Sequence, residues 1–204
     1  TDEKGEIVDQ WISGEEPHVI RGLEPGKKYT LTEVRPAEGF AWAEKITFQV
    51  NEDGTAEEIL MENRPTHIVI TKKDITNGEE LSGAHLELLD KDGNTVEEWV
   101  STDRPHEIVG RLTAGADYVL RETIPAEGFV KASDISFRVN ADGSINYVEM
   151  RDDTTKVRIY KNVLEEAGPS ADLGEATPSR AERGKPTPGA VLQILNEDKT
   201  PALW

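Results

Sequence analysis

The stretch "YVLRETIPAEGF" at 118–129 has a near copy, "YTLTEVRPAEGF", at 29–40. Both begin as strands, because Tyr, Val, Leu and Thr fit a pleated, half-buried surface. In a strand, side chains two residues apart share a face. Tyr118, Leu120 and Glu122 therefore lie on one side, as do Tyr29, Leu31 and Glu33. Each apolar stripe thus ends in an ionisable acid, before Pro and Gly that supply turn chemistry.

The duplication extends along the chain. "TDEKGEIVDQWIS" at 1–13 matches "LDKDGNTVEEWVS" at 89–101, and "VNEDGT" at 50–55 matches "VNADGS" at 139–144. "THIVITKKD" at 66–74 matches "TKVRIYKNV" at 155–163, and "GEELSGAHLELLDKD" at 78–92 matches "GKPTPGAVLQILNED" at 184–198. Self-similarity at a fixed period marks tandem domains. One complete unit spans 66–153, residues 1–65 are the back part of another copy, and 154–204 are the front part of a third.

Within the unit, "IVIT", "HLELL", "TVEEWV", "DYVLRE", "ISFRV" and "INYVEM" alternate and are rich in β-branched or aromatic residues. "NG", "KDGN", "TAGA" and "ADGS" between them are turn signals. No segment has a helical period. About seven short strands in one repeat predict an all-β fold, a small Greek-key, immunoglobulin-like sandwich repeated in tandem. Residues 165–186 are rich in Pro, Gly, Ala, Ser and charge, and read as a disordered insertion.

Composition narrows the function. The net charge of −17 over 204 residues argues against nucleic acid or an anionic membrane surface as partner. No apolar run is long enough to span a bilayer, and none reads as a signal peptide. The chain has no cysteine, so no disulfide supports these small domains.

The alternation test carries further. Ile68, Ile70 and Lys72 share a face, as do Val157, Ile159 and Lys161. Val148, Met150 and Asp152 share one, as do Ile59, Met61 and Asn63. Glu33 and Glu122, Asn63 and Asp152, and Lys72 and Lys161 are each 89 residues apart. Each copy thus points a lysine, a glutamate and an Asp or Asn inward, from its first, a middle and its last strand. Burial favours the neutral forms of amine and acid. A neutral amine is a nucleophile, and a protonated glutamate polarises a carbonyl and shuttles protons. The expected product is a side-chain amide, with water leaving from Asp or ammonia from Asn.

The pattern "VITKKD…G..L.GA.LELLD…YVLRET.PAEGF" resembles the B-type repeat domains of Gram-positive collagen-binding adhesins and the related prealbumin-like domains of sortase-assembled pilins. The resemblance implies a lysine in the first strand, a catalytic acid in an E-T-x-x-P element and an Asn or Asp near the end of the last strand. Carried over, Lys72, Glu122 and Asp152 are the triad of the complete domain. The first copy keeps Glu33 and the proline but has Val34 where Thr123 stands. Glu33 and Asn63 have no upstream lysine here, and Lys161 has no downstream partners. Head-to-tail pairing between chains, with Lys161–Asn63 bonds, is one way to complete them. The resemblance implies an extracellular stalk or pilus repeat on a Gram-positive cell surface, stabilised by self-catalysed isopeptide bonds, with no cofactor and no turnover. No Leu-Pro-x-Thr-Gly sorting motif occurs. An adhesin module that binds a host protein or glycan through its loops is the alternative.

Other readings are weaker. Glu33 and Glu122 lie one repeat apart, too far to be a glycosidase pair. "NEDGT", "KDGN" and "NADGS" lack the spaced oxygens of a calcium loop, so no metal is expected. His18 and His106 sit in matched "PH" pairs, and Trp11 and Trp99 also match, which suits packing.

Overall fold

A computed structural model of the chain describes residues 1–53, 58–163, 185–195 and 197. It comprises two compact units, Thr1–Thr155 and Lys156–Trp204. Among the described residues the regular structure is all β, with no helix.

The complete repeat lies in the first unit. Its strands are β3 (His67–Asp74), β4 (His85–Leu89), β5 (Thr95–Val100), β6 (His106–Val109), β7 (Asp117–Ile124), β8 (Phe129–Val130), β9 (Ile135–Arg138) and β10 (Asn146–Thr154). They form two four-stranded sheets, ordered β6-β3-β10-β8 and β5-β4-β7-β9. The chain leaves the first sheet after β3 and returns at β6, β8 and β10. β10 runs parallel to β3, with Met150 opposite Lys72. Parallel neighbours need a long crossover, and here almost the whole domain is that crossover.

The apolar faces of the two sheets meet in one core of eleven buried residues. Ile68, Ile70, Ile108, Val148 and Met150 come from the first sheet, and Leu86, Leu88, Tyr118 and Leu120 from the second. Burial alternates along β3, β7 and β10, as a sheet with one wet face requires. The four-residue β6 and the two-residue β8 add to the strands that alternation signals.

The first copy contributes β1 (Lys28–Leu31) and β2 (Ile46–Gln49), an antiparallel pair. It repeats local contacts of the complete domain. Tyr29 faces Phe48 as Tyr118 faces Phe137. The Glu24 N–H donates to the Tyr29 hydroxyl at 3.0 Å, as the Thr113 N–H does to that of Tyr118 at 3.1 Å. Trp11 stacks on His18 with ring centroids 4.2 Å apart, and Trp99 on His106 at 4.3 Å.

The two copies meet at a hydrogen-bonded joint. The Trp42 N–H donates to the Ala141 carbonyl at 3.0 Å, and the Thr66 N–H to that of Gly39 at 2.9 Å. The Thr66 hydroxyl donates to the same Gly39 carbonyl at 3.2 Å. Gly39 lies so close that a Cβ there would be 2.1 Å from the Gly110 carbonyl oxygen. Its φ of +80° is also one that side chains rarely adopt.

In the second unit, Val157–Lys161 forms no strand, and Val157, Ile159 and Tyr160 are exposed. The turn after it keeps the pairing of the complete domain. The Thr187 N–H donates to the Lys161 carbonyl at 2.8 Å, as the Leu81 N–H does to that of Lys72 at 2.6 Å. A strand persists only where neighbouring strands satisfy its backbone and cover its apolar face. The insertion read at 165–186 lies outside the described residues apart from Lys185 and Pro186, which close this turn.

Candidate cross-link site

The site is built where three apolar stripes end. Lys72 follows Ile68 and Ile70 on the inner face of β3, Glu122 follows Tyr118 and Leu120 on β7, and Asp152 follows Val148 and Met150 on β10. Because Met150 is the register partner of Lys72, Asp152 lies one inward position beyond it on the neighbouring strand. A lysine stem spans that diagonal. On the opposing sheet the β4–β7 register shifts between His85 and Leu86, beside the pairing of Leu86 with Glu122. Such irregularities re-aim side chains.

Lys72 Nζ lies 2.9 Å from Glu122 Oε1 and donates a short hydrogen bond to Asp152 Oδ1. The three residues are 2%, 0% and 1% exposed. Glu122 Oε2 accepts from the Ala132 N–H at 2.7 Å, which fixes the carboxyl from behind. Asp152 Oδ2 is buried without a hydrogen-bond partner. Burial pushes the Asp152 carboxyl above the usual carboxylate range. Its hydrogen bond to Lys72 opposes that rise, and the neighbouring Glu122 carboxyl adds to it. Two carboxylates and one ammonium would leave an uncompensated charge in a dry interior, so a proton on Asp152 relieves the imbalance. A cavity of about 50 Å³ adjoins Lys72, lined also by Ile70, Leu86, Trp99, Ser101 and His106. It has room for one water.

In the first copy, Asn63 donates its side-chain amide to Glu33 Oε1 at 2.9 Å, to Glu33 Oε2 at 2.8 Å and to the Ala41 carbonyl at 2.8 Å. The Ala43 N–H donates to Glu33 Oε2 at 2.8 Å, as the Ala132 N–H does to Glu122. Glu33 and Asn63 are half-buried, and Lys161 is exposed in the second unit. The structure thus brings Lys72, Glu122 and Asp152 together, and Glu33 with Asn63. Two parts of the site had no sequence signal: the backbone donors of Ala43 and Ala132, and Glu80, whose Oε2 accepts the Lys72 N–H at 3.1 Å. Backbone donors leave no residue type to read, although the two alanines are also 89 residues apart.

Among the described residues, no group of three or more His, Cys, Asp or Glu could hold a metal ion. No helix there is long and apolar enough to cross a membrane. Asp90, just before "KDGN", and Asp142, in "NADGS", accept from turn N–H groups.

The family model described as SpaA, prealbumin-like fold domain, matches residues 1–65 and 66–154. No curated protein matches the chain. Among solved structures, the shaft pilin SpaA of Lactobacillus rhamnosus GG is 15% identical, with a TM-score of 0.40. That match covers 65% of this chain and 66% of the pilin. The Bacillus anthracis TIE protein is 22% identical with a TM-score of 0.43, over 62% of this chain and 25% of that one. The major pilin subunit of Bacillus cereus is 22% identical with a TM-score of 0.36, over 43% and 28%. The chain therefore spans less than two thirds of each of these proteins.

Proposed function

The chain belongs to the SpaA prealbumin-like fold domain family, and from that premise we propose that it serves as a stalk repeat of a Gram-positive surface adhesin or pilus. Its tether is a self-formed isopeptide bond between Lys72 and Asp152. The observation that carries this reading is the contact of one buried amine with two buried carboxyls.

Lys72 transfers a proton to Glu122 and attacks Asp152 Cγ as a neutral amine. Protonated Asp152 presents an electrophilic carbonyl. Glu122 returns that proton to the departing oxygen and takes a second one from the new amide nitrogen, ending protonated, so one C–N bond forms, one C–O bond breaks and one water leaves. The cavity beside Lys72 can receive that water. Nothing turns over, because the enzyme-like residues are consumed or sealed in by the product. By the same logic Lys161 condenses with Asn63, assisted by Glu33, when front and back parts of two copies meet, and ammonia leaves. The Asn63 amide nitrogen, which would depart, already contacts both Glu33 oxygens.

Lys72 and Asp152 are 80 residues apart. Closing a loop of that size restricts the unfolded chain by on the order of 4 kcal/mol, by the entropy estimate used for disulfides. Intact mass under denaturing conditions tests the reaction. The folded chain is expected one water below its formula weight, and Lys72→Ala and Glu122→Ala at theirs. A folded wild-type chain at the unmodified mass would overturn the proposal.

A further inference from the structure

Lys72 lies on a flank of the sandwich that no strand covers. β6 pairs with β3 from His67 only as far as Ile70, which stands opposite His106, so Lys72 extends past the end of that ladder. Its backbone is held instead by the next turn. The Lys72 N–H donates to Glu80 Oε2, and the Lys72 carbonyl accepts from the Leu81 N–H. The cavity of about 50 Å³ opens beside its side chain, and Lys72 is the member of the triad that lines it.

A pair of rings walls this cavity. Trp99 on β5 and His106 on β6 are half-buried and stack with centroids 4.3 Å apart and planes 10° from parallel. β5 and β6 are edge strands of opposite sheets, so the pair closes the gap between the sheets along this side. It does so at the level of the reacting groups. Trp99 and Glu122 are both register partners of Leu86, on either side of β4. His106 is the partner of Ile70, one inward position before Lys72. The wall is braced. His106 Nε2 lies 3.1 Å from Glu97 Oε1, and Arg111 holds the other Glu97 oxygen at 3.1 Å. A carboxylate only accepts, so Nε2 carries the hydrogen. The connection between the two strands is pinned where the Ser101 hydroxyl accepts the Ala84 N–H at 2.9 Å. The first copy repeats the device, with Trp11 stacked on His18 and His18 Nε2 2.8 Å from Asp9 Oδ2. Tryptophan, histidine and acid thus recur as a unit.

We propose that Trp99 and His106 are positioning residues of the condensation, their stacked rings sealing the Lys72 cavity against bulk water. The inference rests on the Lys72–Asp152 reading and adds what keeps its amine dry. A hydrated ammonium retains its proton, whereas one kept from water yields it more readily to a neighbouring carboxylate. The seal acts through Lys72 and touches no reacting bond.

The first test uses the full chain with Asp152→Ala, which has no acceptor carbonyl and keeps Lys72 a free amine whether or not the wild type condenses. Acetylation by a small activated ester is followed at each lysine by peptide mass mapping. Lys72 is expected to react far more slowly than Lys91, whose side chain is 74% exposed. Adding Trp99→Ala should speed Lys72 roughly ten-fold or more, as for a site that opens locally. Trp99→Phe, which keeps a ring on His106, should not. Phe137→Ala is the control, because Phe137 is also half-buried against the core but on β9, the opposite edge of the same sheet. If Trp99→Ala fails to fold, His106→Ala opens the same wall and carries the same expectation. No gain in Lys72 labelling, or an equal gain from Phe137→Ala, would overturn the seal. The second test keeps the triad and follows intact mass after cell-free synthesis. Trp99→Ala should lose its water several-fold more slowly than the wild type, and Trp99→Phe should restore the rate; an unchanged rate in a chain with accessible Lys72 would overturn the role in condensation. A wild type at its full formula weight overturns the bond and with it that role, whereas a bonded wild type with unshielded Lys72 in the Asp152→Ala chain overturns the seal alone.

Discussion

Asp152 is the residue on which the proposed chemistry depends most, because its carboxyl is both buried and partly unpartnered. Its raised pKa has a consequence for stability while the bond is absent. A raised folded pKa means that the protonated form favours folding. That contribution is complete below the unfolded value near 3.9 and is lost as pH rises through the higher folded value. A Lys72→Met chain, which cannot condense and has lost the opposing lysine, should therefore melt at lower temperature as pH goes from 4 to 7. The drop should be roughly 4–8 °C for each kcal/mol lost. Thermal melts of Lys72→Met/Asp152→Asn over the same range should lack that slope, and an equal slope in both would remove Asp152 as its source. At this scale the sequence was readable through parity. Lys72, Glu122 and Asp152 each continue a stripe of two apolar residues, so period two alone assigns their face. The hydrogen bonds that hold Glu122 from behind were not readable, because Ala132 contributes only its backbone.

Among the strands, β3 and β10 matter most. They are the first and last strands of the complete repeat, lie side by side and run parallel. Pulling the repeat from its two ends loads their ladder in shear, and the proposed bond crosses that ladder near the C-terminal ends of both strands. The segment between Lys72 and Asp152 then lies outside the line of tension. A single proteolytic cut at the exposed Lys91 turn should therefore leave the two fragments joined on a denaturing gel. The same cut in Lys72→Ala should release them. Fragments that separate in the wild type would show that no covalent link spans the cut. Long strands such as β7 were legible because eight residues display the alternation. β6 and β8 were not, and the Val157–Lys161 stripe reads as a strand in sequence but forms none here. Alternation reports a segment's capacity to pair, and only a neighbouring strand realises it.

For the molecule as a whole, repetition provides an internal control for its own joint. Gly39 and Gly128 have nearly the same positive φ, but only Gly39 is packed against another backbone. Alanine at either should cost about 1–2 kcal/mol for the left-handed conformation. Gly39→Ala should cost more, because its Cβ would overlap the Gly110 carbonyl. Comparing the two variants by denaturant unfolding isolates the joint, and equal losses would show that the close approach contributes nothing. The repeat itself was plain from the 88- and 89-residue offsets. The joint was not, since Gly39 and Gly128 sit in the same "PAEGF" motif and differ only in what lies opposite.

With the proposed Lys72–Asp152 bond across it, the parallel pairing of β3 with β10 would also give the molecule a one-way history. A chain that has condensed once cannot return to an open coil; heat or denaturant yields a ring with two tails. Bringing the first and last strands together is the kind of distant pairing that makes β proteins slow to fold, and the ring already has it. The first folding of a newly made chain and every later recovery would then start from different places, with only the first searching for that register.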